Sequence, residues 1–435
     1  MKRSHLTLSC VLAAWWLIGP VFGQQNWQEP PKELREKLGA PAGKLRAAMA
    51  VKDERQVLAA MAEIRELLGP WAGVTEVQTK YYAPIRRGPP PSAEQVKTAW
   101  KRVFDWLESR YDGKGQWGVA AGQTPSQPVP LRNTAEPVLA LWAAYQAGLP
   151  DKGTYRKRAG EGLQYLLSVQ ADNGVFPFPD VRGRDSFFGP MVERMLKRMP
   201  QALRNGWFID DDDGGLQFDN AICGVTMLES HRLTGDKRYL EAARRAADWA
   251  AGRPIVTNFN YNAFSVWLLA RAYSSAGEKK YLDAAIEKTR IGVIPGQMEN
   301  GRWMDFHNAR PAYHWILVRG MLHLLRALPP DHAYRPVLEK HLLGAIDNGA
   351  AEIRNNGAAS VDTALAVLSE VCRALPPKPE WQEALTITAN ALLDQMGPDP
   401  ANARAAAPYG FGMYMDFRLN HKDTKGTKAT KKRPS

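Results

Sequence analysis

The segment from Asn300 to His314 holds the densest group of chemically capable side chains in this sequence. Asp305 can serve as a general acid or base, and His307 and His314 titrate near neutral pH. Arg310 can bind a carboxylate through two parallel hydrogen bonds. These side chains together predict a site for acid–base chemistry on an anionic substrate.

Three more residues of this segment are candidates for binding or catalysis. The indole of Trp303 offers a flat face to a sugar ring, Asn308 supplies an amide, and Tyr313 is a candidate base. In the alternative interpretation, Asp305 caps a turn, Arg310 pairs with it, and the aromatic side chains fill space. The segment alone leaves both interpretations open.

A run of four aspartates, Asp210 to Asp213, forms the second candidate segment. Adjacent carboxylates repel one another, so some are expected to face a cation, an arginine or a helix N-terminus. Asp211 and Asp212 are candidate ligands of a metal ion, and calcium suits the run better than magnesium. The alternative is that Asp212 or Asp213 caps the next helix while the other aspartates are solvated.

Residues around the aspartate run extend this second candidate site. Asp213 and Asp219 are candidate catalytic carboxylates, and Trp207 and Asn220 are candidate contacts for a substrate. Asp219 and Asn220 lie about one turn into the helix predicted to follow the run, where they could face a cavity.

Two later segments are rich in amides and phenols. Asn260, Tyr261 and Asn262 are predicted substrate contacts at the start of one helix, and the segment from Tyr409 to Asp416 supplies two phenols and a carboxylate after the last predicted hairpin. Such groups bind saccharide hydroxyls and ring faces. These segments favour a carbohydrate ligand, although a well-packed loop uses the same residue types.

A repeated helical hairpin is predicted to position these segments. The turns before Tyr239 and Tyr281 have similar sequences, and the two tyrosines are 42 residues apart. A regular period of this length is typical of repeat architectures. The turns within hairpins are short, whereas the connections between hairpins are long and contain the candidate residues. Because the helices of a hairpin are antiparallel, all long connections are predicted to emerge at one end.

The apolar periodicity predicts helices throughout the main body and no strand of useful length. The predicted helices span residues 93–111, 134–147, 155–169, 215–233, 237–251, 261–276, 279–289, 312–328, 334–353, 361–375 and 380–396, with a helical insertion near 186–199. They form five hairpins and an unpaired first helix, close to the number needed to close a ring. The predicted fold class is all-α, an α/α toroid.

Four regions are predicted along the chain. Residues 1–23 read as a secretory signal, with Lys2 and Arg3 before an apolar run that is too short to span a bilayer comfortably. Residues 24–91 hold a helical hairpin, at 32–49 and 53–68, and a proline-rich linker. The toroid follows at 92–420, and residues 421–435 form a basic tail with the composition of a disordered segment.

The formal net charge of +12 does not predict a nucleic-acid partner. The signal contributes +2 and the basic tail +5, which leaves +5 for the folded body.

The predicted secretory signal leads us to expect an exported protein, periplasmic or extracellular, without a transmembrane segment after signal cleavage. Cys223 and Cys372 are expected to be buried thiols, with a disulfide as the alternative. The sequence contains no phosphate-binding loop, dinucleotide fingerprint or G-x-S-x-G elbow.

This organisation resembles the α/α-toroid enzymes, which include six-hairpin glycosidases, helical polysaccharide lyases and the terpenoid-cyclase group. Locally, Gly162 to Asp180 is similar to a segment of helical pectate lyases, although Val175 and Phe176 replace that family's glycine and tryptophan. The resemblance implies that the inner helices begin at the long-connection end. Their N-termini would favour anionic groups there.

The resemblance and the residues together predict an enzyme that cleaves a uronic-acid-containing polysaccharide or oligosaccharide. In a hydrolase, Asp305 would pair with Asp212, Asp213 or Asp219. In a lyase, His307, Tyr313 or Arg310 would remove the proton next to the uronate carboxylate while calcium or arginine neutralises that carboxylate. Alternatives are a non-catalytic glycan-binding or cell-envelope scaffold protein and, less well supported, a terpenoid-cyclase-like enzyme suggested by the aspartate run.

Overall fold

In the part of the chain that the structure describes, six inner and six outer helices, with the connections between them, position the candidate residues. The structure is a computed structural model that describes residues 32–73, 82–118, 129–180, 182, 189–305, 307–397 and 408–420. The predicted signal and the basic tail lie outside the described residues, and so does Phe306.

Helices dominate the described part of the chain. The α-helices are α1 (Lys32–Ala50), α2 (Glu54–Leu68), α3 (Ala93–Arg110), α4 (Arg132–Gln146), α5 (Lys152–Val169), α6 (Gly189–Arg198), α7 (Leu216–Thr234), α8 (Lys237–Gly252), α9 (Phe259–Ala276), α10 (Lys279–Gly292), α11 (Pro311–Ala327), α12 (Arg335–Asn356), α13 (Val361–Ala374), α14 (Pro379–Met396) and α15 (Pro408–Asn420). Short 3₁₀ turns lie at Gly69–Trp71, Pro200–Ala202 and Ile294–Gly296.

The inner helices α4, α7, α9, α11, α13 and α15 form a closed ring. Each packs against the next in this order, and α15 packs against α4 to close the circle. The outer helices α5, α8, α10, α12 and α14 each pack against the inner helix that precedes them in the chain, and α3 packs against α15. This arrangement confirms the predicted α/α toroid. We call the end at which the inner helices begin the mouth of the ring.

The sixth inner helix, α15, was missing from the sequence prediction, which treated Tyr409 to Asp416 as a segment after the last hairpin. Gly410 and Gly412 lower helix propensity, yet both lie where α15 approaches its neighbours closely. A Cβ on Gly412 would lie 3.0 Å from the Cα of Ala140, and one on Gly410 would overlap the carbonyl of Asp362. The two glycines therefore allow the ring to close.

The two most similar repeat turns have the same structure. Gly235 and Gly277 end the inner helices α7 and α9 with φ angles of 73° and 71°, which only glycine adopts readily. The tyrosines that follow, Tyr239 and Tyr281, are buried at equivalent places in the outer helices α8 and α10. The sequence repeat therefore corresponds to a structural repeat.

The N-terminal hairpin α1–α2 packs against the outside of the ring. Helix α2 contacts α10 and the 3₁₀ turn Ile294–Gly296. Ion pairs between Lys52 and Glu287 at 2.6 Å and between Arg290 and Glu54 at 3.3 Å hold the two parts together. The hairpin thus contacts the connection that leads into α11.

Between α5 and α7 the chain forms a small antiparallel sheet. Its strands are β1 (Phe178–Pro179), β2 (Leu203–Arg204) and β3 (Trp207–Phe208), in the order β1-β3-β2, with Phe178 opposite Phe208. The predicted insertion helix corresponds to α6, and residues 183–188 of that insertion lie outside the described residues.

Two further expectations from the sequence concern the thiols and the membrane. Cys223 and Cys372 are both buried and unpaired, which confirms the predicted thiols. Among the helices that the structure describes, none is both long enough and apolar enough to cross a bilayer.

Lys288 on α10 is a buried amine whose ionisation should affect stability. Only 2% of its surface is exposed, and its Nζ donates to the carbonyl of Arg253 at 2.8 Å. Burial lowers the pKa of Lys288 to about 7, and the charge of Arg253 lowers it further. Between pH 7 and 10.5, the unfolded chain therefore binds more protons at this lysine than the folded chain. Lys288 should make stability rise with pH across that window.

Lys288→Met should flatten the rise of stability with pH. Removal of this one titrating group is expected to reduce the slope of the unfolding free energy by up to about 1.4 kcal/mol per pH unit between pH 7 and 10. Denaturant unfolding at several pH values measures this slope. Lys340→Met at an exposed site is the matched control. Equal slopes in wild type and Lys288→Met would contradict the expected pKa.

Candidate active site

Two carboxylates from different inner helices lie inside the mouth of the ring. Glu136 lies in the second turn of α4, and Asp362 is the second residue of α13. Both keep partial solvent exposure although protein surrounds them. Burial, and secondarily the charge of Asp362, raises the pKa of Glu136 to about 7. Glu136 is therefore partly protonated at neutral pH, as a general acid must be.

Glu136 and Asp362 differ in their hydrogen bonds. Within the described part of the chain, no group donates a hydrogen bond to the carboxylate of Glu136. Asp362 instead accepts from the backbone N–H of Thr363 in the first turn of α13, which favours its ionised form. Burial nevertheless raises the pKa of Asp362 above its usual range. This difference suits Glu136 as a proton donor and Asp362 as a base.

Arg132, the first residue of α4, has a buried hydrogen-bonding edge without a partner among the described residues. Its Nη1 lies 3.5 Å from a carboxylate oxygen of Asp219, and its guanidinium stacks 4.2 Å from the ring of Phe218. Arg132 is 5% exposed. Among the described residues, its Nε and Nη2 have no partner. These two atoms form the edge through which arginine binds a carboxylate with two parallel hydrogen bonds.

A second arginine, Arg319 of α11, lies further along the ring axis. Its guanidinium lies 3.8 Å from the ring centroid of Trp267 and 5.7 Å from that of Tyr409, which belongs to α15 on the far side of the ring. The positive charge of Arg319 lowers the pKa of both Glu136 and Asp362, against the effect of burial. Arg319 therefore acts on Asp362 from the neighbouring inner helix and on Glu136 from the opposite side of the ring.

Tyr261 of α9 connects the two segments that the sequence singled out. Burial raises the pKa of Tyr261 most, and the charges of Asp213 in the aspartate run and of Tyr313 in α11 raise it further. The phenol of Tyr261 therefore stays protonated. A Cβ on Gly215 would lie 3.2 Å from Asp213 Oδ1 and 3.8 Å from the hydroxyl of Tyr261. The two segments therefore meet at the mouth, with Asp213 half-buried between them.

Arginines and backbone N–H groups occupy most of the aspartate run. Asp211 accepts from the N–H of Leu216 at 2.6 Å and pairs with Arg253 at 2.6 Å, and Asp212 pairs with Arg198. In the parts of the chain that are described, no three His, Cys, Asp or Glu side chains form a group able to hold a metal ion. Arginines thus lie beside Asp211 and Asp212, where the sequence predicted a cation, an arginine or a helix N-terminus.

Asp305 organises its own loop. Its Oδ1 accepts from the backbone N–H groups of His307 at 3.1 Å and Asn308 at 2.9 Å, and both oxygens accept from the side-chain amide of Asn308. Burial raises the pKa of Asp305, and its other main influences are hydrogen bonds within this loop rather than another carboxylate. The predicted pairing of Asp305 with Asp212, Asp213 or Asp219 is therefore replaced by a turn cap.

His307 lies against α11 and is neutral. Its ring stacks on Tyr313 with the centroids 4.2 Å apart. Burial, and then the charge of Arg310, lowers the pKa of His307 well below its usual value. Burial also raises the pKa of Tyr313, so that its phenol is protonated. The neutral imidazole is therefore the stronger base of the two at neutral pH.

The amides of Asn308 and Asn260 fasten the Asp305 loop to α9. The backbone N–H and the side-chain amide of Asn260 both donate to Oδ1 of Asn308 at 3.0 Å. These two residues were predicted to contact substrate. The structure uses them instead to hold the loop against the start of an inner helix.

Several other predicted site residues have structural partners. Asn220 accepts from the N–H of Phe176 and donates to the carbonyl of Ala246, and Asn262 bonds the backbone of Val256 and Gly292. Both side chains are buried and bonded to the backbone, which is a structural role.

Three large side chains from the predicted site are also packing residues. Trp303 is fully buried and its indole donates to the carbonyl of Val293, so it has no face open to a sugar. His314 bonds the carbonyl of Ala345, and burial lowers its pKa to about 3. Trp207 lies in β3, opposite Pro179 and Arg204. These contacts make the three side chains part of the packing around the mouth.

The residues that sequence reasoning missed are Glu136, Asp362, Arg132 and Arg319. Each lies on an inner helix whose other side chains are mostly buried and apolar. Charged residues are rarely buried in such helices unless they are paired or functional. A charged residue among mostly apolar neighbours in an inner helix of a ring is the signal that could have found them.

Solved structures share this fold. A glycosyl hydrolase of family 88 from Bacteroides vulgatus is 9% identical, with a TM-score of 0.52 over 76% of this chain and 99% of that chain. A polysaccharide lyase is 11% identical, with a TM-score of 0.51 over 76% of this chain and 98% of that chain. An unsaturated glucuronyl hydrolase from Streptococcus agalactiae has a TM-score of 0.48 at 13% identity, over 77% of this chain and 94% of that chain. No family model matches the chain, and no curated protein is a significant match.

The two likenesses with TM-scores of 0.52 and 0.51 confirm the resemblance to α/α-toroid enzymes at the level of the fold. The described part of the chain has the ring of helical hairpins that such a resemblance implies. At identities of 9% and 11%, these likenesses show the architecture alone. The reaction therefore has to be inferred from the residues of the site.

Proposed function

We propose that the protein is an exported enzyme that hydrolyses a polysaccharide or oligosaccharide containing uronic acid. The observation that carries the proposal is the pair Glu136 and Asp362 in the mouth of the ring, two half-buried carboxylates with raised pKa values. A proton donor and a carboxylate base are the usual requirement of glycoside hydrolysis. Toroids named as a glycosyl hydrolase and a polysaccharide lyase lend the proposal support at the level of the fold.

Each carboxylate has a distinct role in the proposed reaction. Protonated Glu136 gives its proton to the glycosidic oxygen as the bond from that oxygen to the anomeric carbon breaks. Ionised Asp362 takes a proton from the water that attacks the anomeric carbon. The products are two shorter saccharides, and the net reactant is one water molecule. Hydrogen bonds from Thr363, and then the charge of Arg319, favour the ionised form of Asp362 against the larger effect of burial, which raises its pKa.

Arg132 supports a uronate as the substrate group. Its free edge, formed by Nε and Nη2, matches the two oxygens of a carboxylate, and its contacts with Asp219 and Phe218 fix the orientation of that edge. Neutral sugars present only hydroxyls, which gain less from a guanidinium. Arg132 therefore favours an anionic sugar near Glu136, one helical turn along α4.

One observation favours β-elimination as the second candidate reaction. The imidazole of His307 is neutral, and its Nδ1 has no partner among the described residues. A neutral imidazole next to the mouth could remove the proton beside a uronate carboxylate. Elimination would leave an unsaturated uronate, which absorbs ultraviolet light, whereas hydrolysis would not.

A panel of plant, algal and bacterial glycans tests the proposed function. Wild type is expected to release reducing ends from at least one uronate-containing glycan without new ultraviolet absorbance, and Asp362→Asn should be nearly inactive. Matched absorbance and reducing ends, abolished in His307→Ala but not in Asp362→Asn, would replace hydrolysis with elimination. Binding without cleavage would favour a glycan-binding or envelope scaffold protein.

Arg132→Lys should reduce selectivity for uronate. Lysine keeps the charge beside Asp219 but cannot form two parallel hydrogen bonds, so kcat/KM is expected to fall about 10- to 100-fold on the native glycan. The same glycan with its carboxylates reduced to alcohols should show little change. Arg158→Lys, in an ion pair with Glu108 on the outer helices, is the matched control. Equal losses on both substrates would argue against carboxylate recognition by Arg132.

The exported location rests on the sequence of residues 1–23, with its basic start and apolar run. A polymeric substrate is consistent with such a location, because large glycans lie outside the cytoplasm. N-terminal sequencing of the protein from periplasmic and culture fractions tests both points, with cleavage expected after Gly23.

A further inference from the structure

The N-terminal segment contacts two of the connections that lead to the mouth. After α2 and the 3₁₀ turn Gly69–Trp71, the N–H of Gly73 donates to the carbonyl of Met304 at 2.9 Å. Met304 immediately precedes Asp305, whose carboxylate caps the loop against α9. The N-terminal hairpin is therefore joined to the backbone of this loop.

A second contact reaches the connection before α13. We call Tyr82–Pro91 the strap. The N–H of Ala83 in the strap donates to the carbonyl of Ala358 at 2.8 Å, four residues before Asp362. Gly357 has a φ of 99°, and a Cβ there would overlap the carbonyl of Ala83. The strap therefore packs directly on the backbone that leads to Asp362.

The strap is fixed to the ring beyond this contact. Arg86 pairs with Asp394 of α14 at 2.5 Å, and Arg87 donates to the carbonyl of Arg354 at the end of α12 at 2.8 Å. At its far end, the carbonyl of Pro91 accepts from Arg418 of α15 at 3.0 Å. The strap thus contacts α12, α14 and α15. Of these, α12 and α14 are the outer helices of the hairpins before and after the Ala358 connection.

We propose that the strap is a positioning element of the acid–base site, because it fixes the connection that carries Asp362 into the mouth. This proposal rests on the proposed catalytic role of Asp362. The connection Gly357–Ser360 is only four residues long, and Ser360 has a left-handed φ of 49°, so a small backbone shift there moves the first turn of α13. Such displacements of a reacting group are costly to catalysis.

The first test loosens the strap away from the mouth. In the variant with Arg86→Ala and Arg87→Ala, amide hydrogen exchange of residues 357–365 should become faster. With a glycan that wild type cleaves, kcat should fall about tenfold while KM changes little, because the substrate contacts remain. The exposed pair Lys279–Asp283 is disrupted by Lys279→Ala as a control of similar exposure, which should change neither quantity.

The second test acts on the contact itself. Gly357→Ala should produce the same changes more strongly, whereas Gly397→Ala should leave the mouth unaffected. Gly397 also follows an outer helix with a positive φ, of 47°, but its nearest neighbour would be 3.8 Å from a new Cβ. Thermal unfolding shows whether Gly357→Ala folds. If it does not fold, the double arginine variant alone tests the positioning role of the strap.

The outcomes separate this proposal from the proposed function. Faster exchange with unchanged kcat, or unchanged exchange in the double arginine variant, would overturn the positioning role of the strap. If wild type cleaves no glycan, the proposed function fails, and exchange alone then reports whether the strap fixes the connection. Glu136→Gln should lower kcat about 1,000-fold without altering exchange at residues 357–365.

Discussion

Glu136→Gln is expected to lower kcat by about 1,000-fold on any glycan that the wild type hydrolyses. Glutamine has the same shape but cannot give a proton to the leaving oxygen, and general acid catalysis typically contributes 10²- to 10⁴-fold. Folding should not suffer, because the described residues donate no hydrogen bond to Glu136 and the substitution removes a carboxylate that is costly to ionise there. Stopped assays of reducing ends measure kcat.

The pH profile identifies the role of Glu136 more specifically than the loss of rate. A general acid with a pKa of about 7 is active below that pH, so wild-type activity should fall as pH rises through about 7. The residual activity of Glu136→Gln should lack this alkaline limb. Glu94→Gln, an exposed glutamate at the start of α3, should keep both the rate and the profile. An unchanged alkaline limb in Glu136→Gln would assign the titration to another group.

Much of the fold follows from local sequence signals. The repeated turns with Gly235 and Gly277 fix the hairpin period, and the apolar periodicity places the helices between them. The helix α15 escaped this reasoning because two glycines lower its intrinsic propensity, whereas close packing against α4 and α13 requires them. Ring closure depends on contacts between residues far apart in the chain, which local patterns do not contain.

The candidate site was harder to predict from the sequence than the fold. The sequence prediction favoured segments that contain many polar side chains. In the structure, many of these side chains form hydrogen bonds within their own loop, as Asp305 and Asn308 do. Glu136 and Arg319 lie among mostly apolar side chains on separate inner helices, and only the closed ring brings them near each other. Asp213 and Tyr313 were chosen from separate segments, and both lie beside Tyr261. Their proximity could not be read from the chain.

Arg302→Met is expected to destabilise the protein by about 3 to 5 kcal/mol, the largest effect on stability that we predict. Arg302 lies in the connection before Asp305 and holds Glu352 of α12 through both guanidinium nitrogens, with Nη2 3.0 Å from Oε1. The side chains are 4% and 11% exposed, so removal of the arginine leaves a buried carboxylate without its counter-charge. Urea unfolding at neutral pH measures the loss.

The pH dependence of this loss tests its cause. In the wild type, burial raises the pKa of Glu352 from 4.5 to about 8. Loss of the Arg302 charge in Arg302→Met removes the neighbour that favours the ionised carboxylate, so the folded variant should bind an extra proton over at least this range. The stability of this variant should therefore fall as pH rises from 5 to 8. Arg302→Met with Glu352→Leu should recover most of the loss and remove this slope, because neither charge is then buried. A single variant as stable as wild type at pH 8 would mean that the pair contributes little, and that other contacts hold the connection before Asp305.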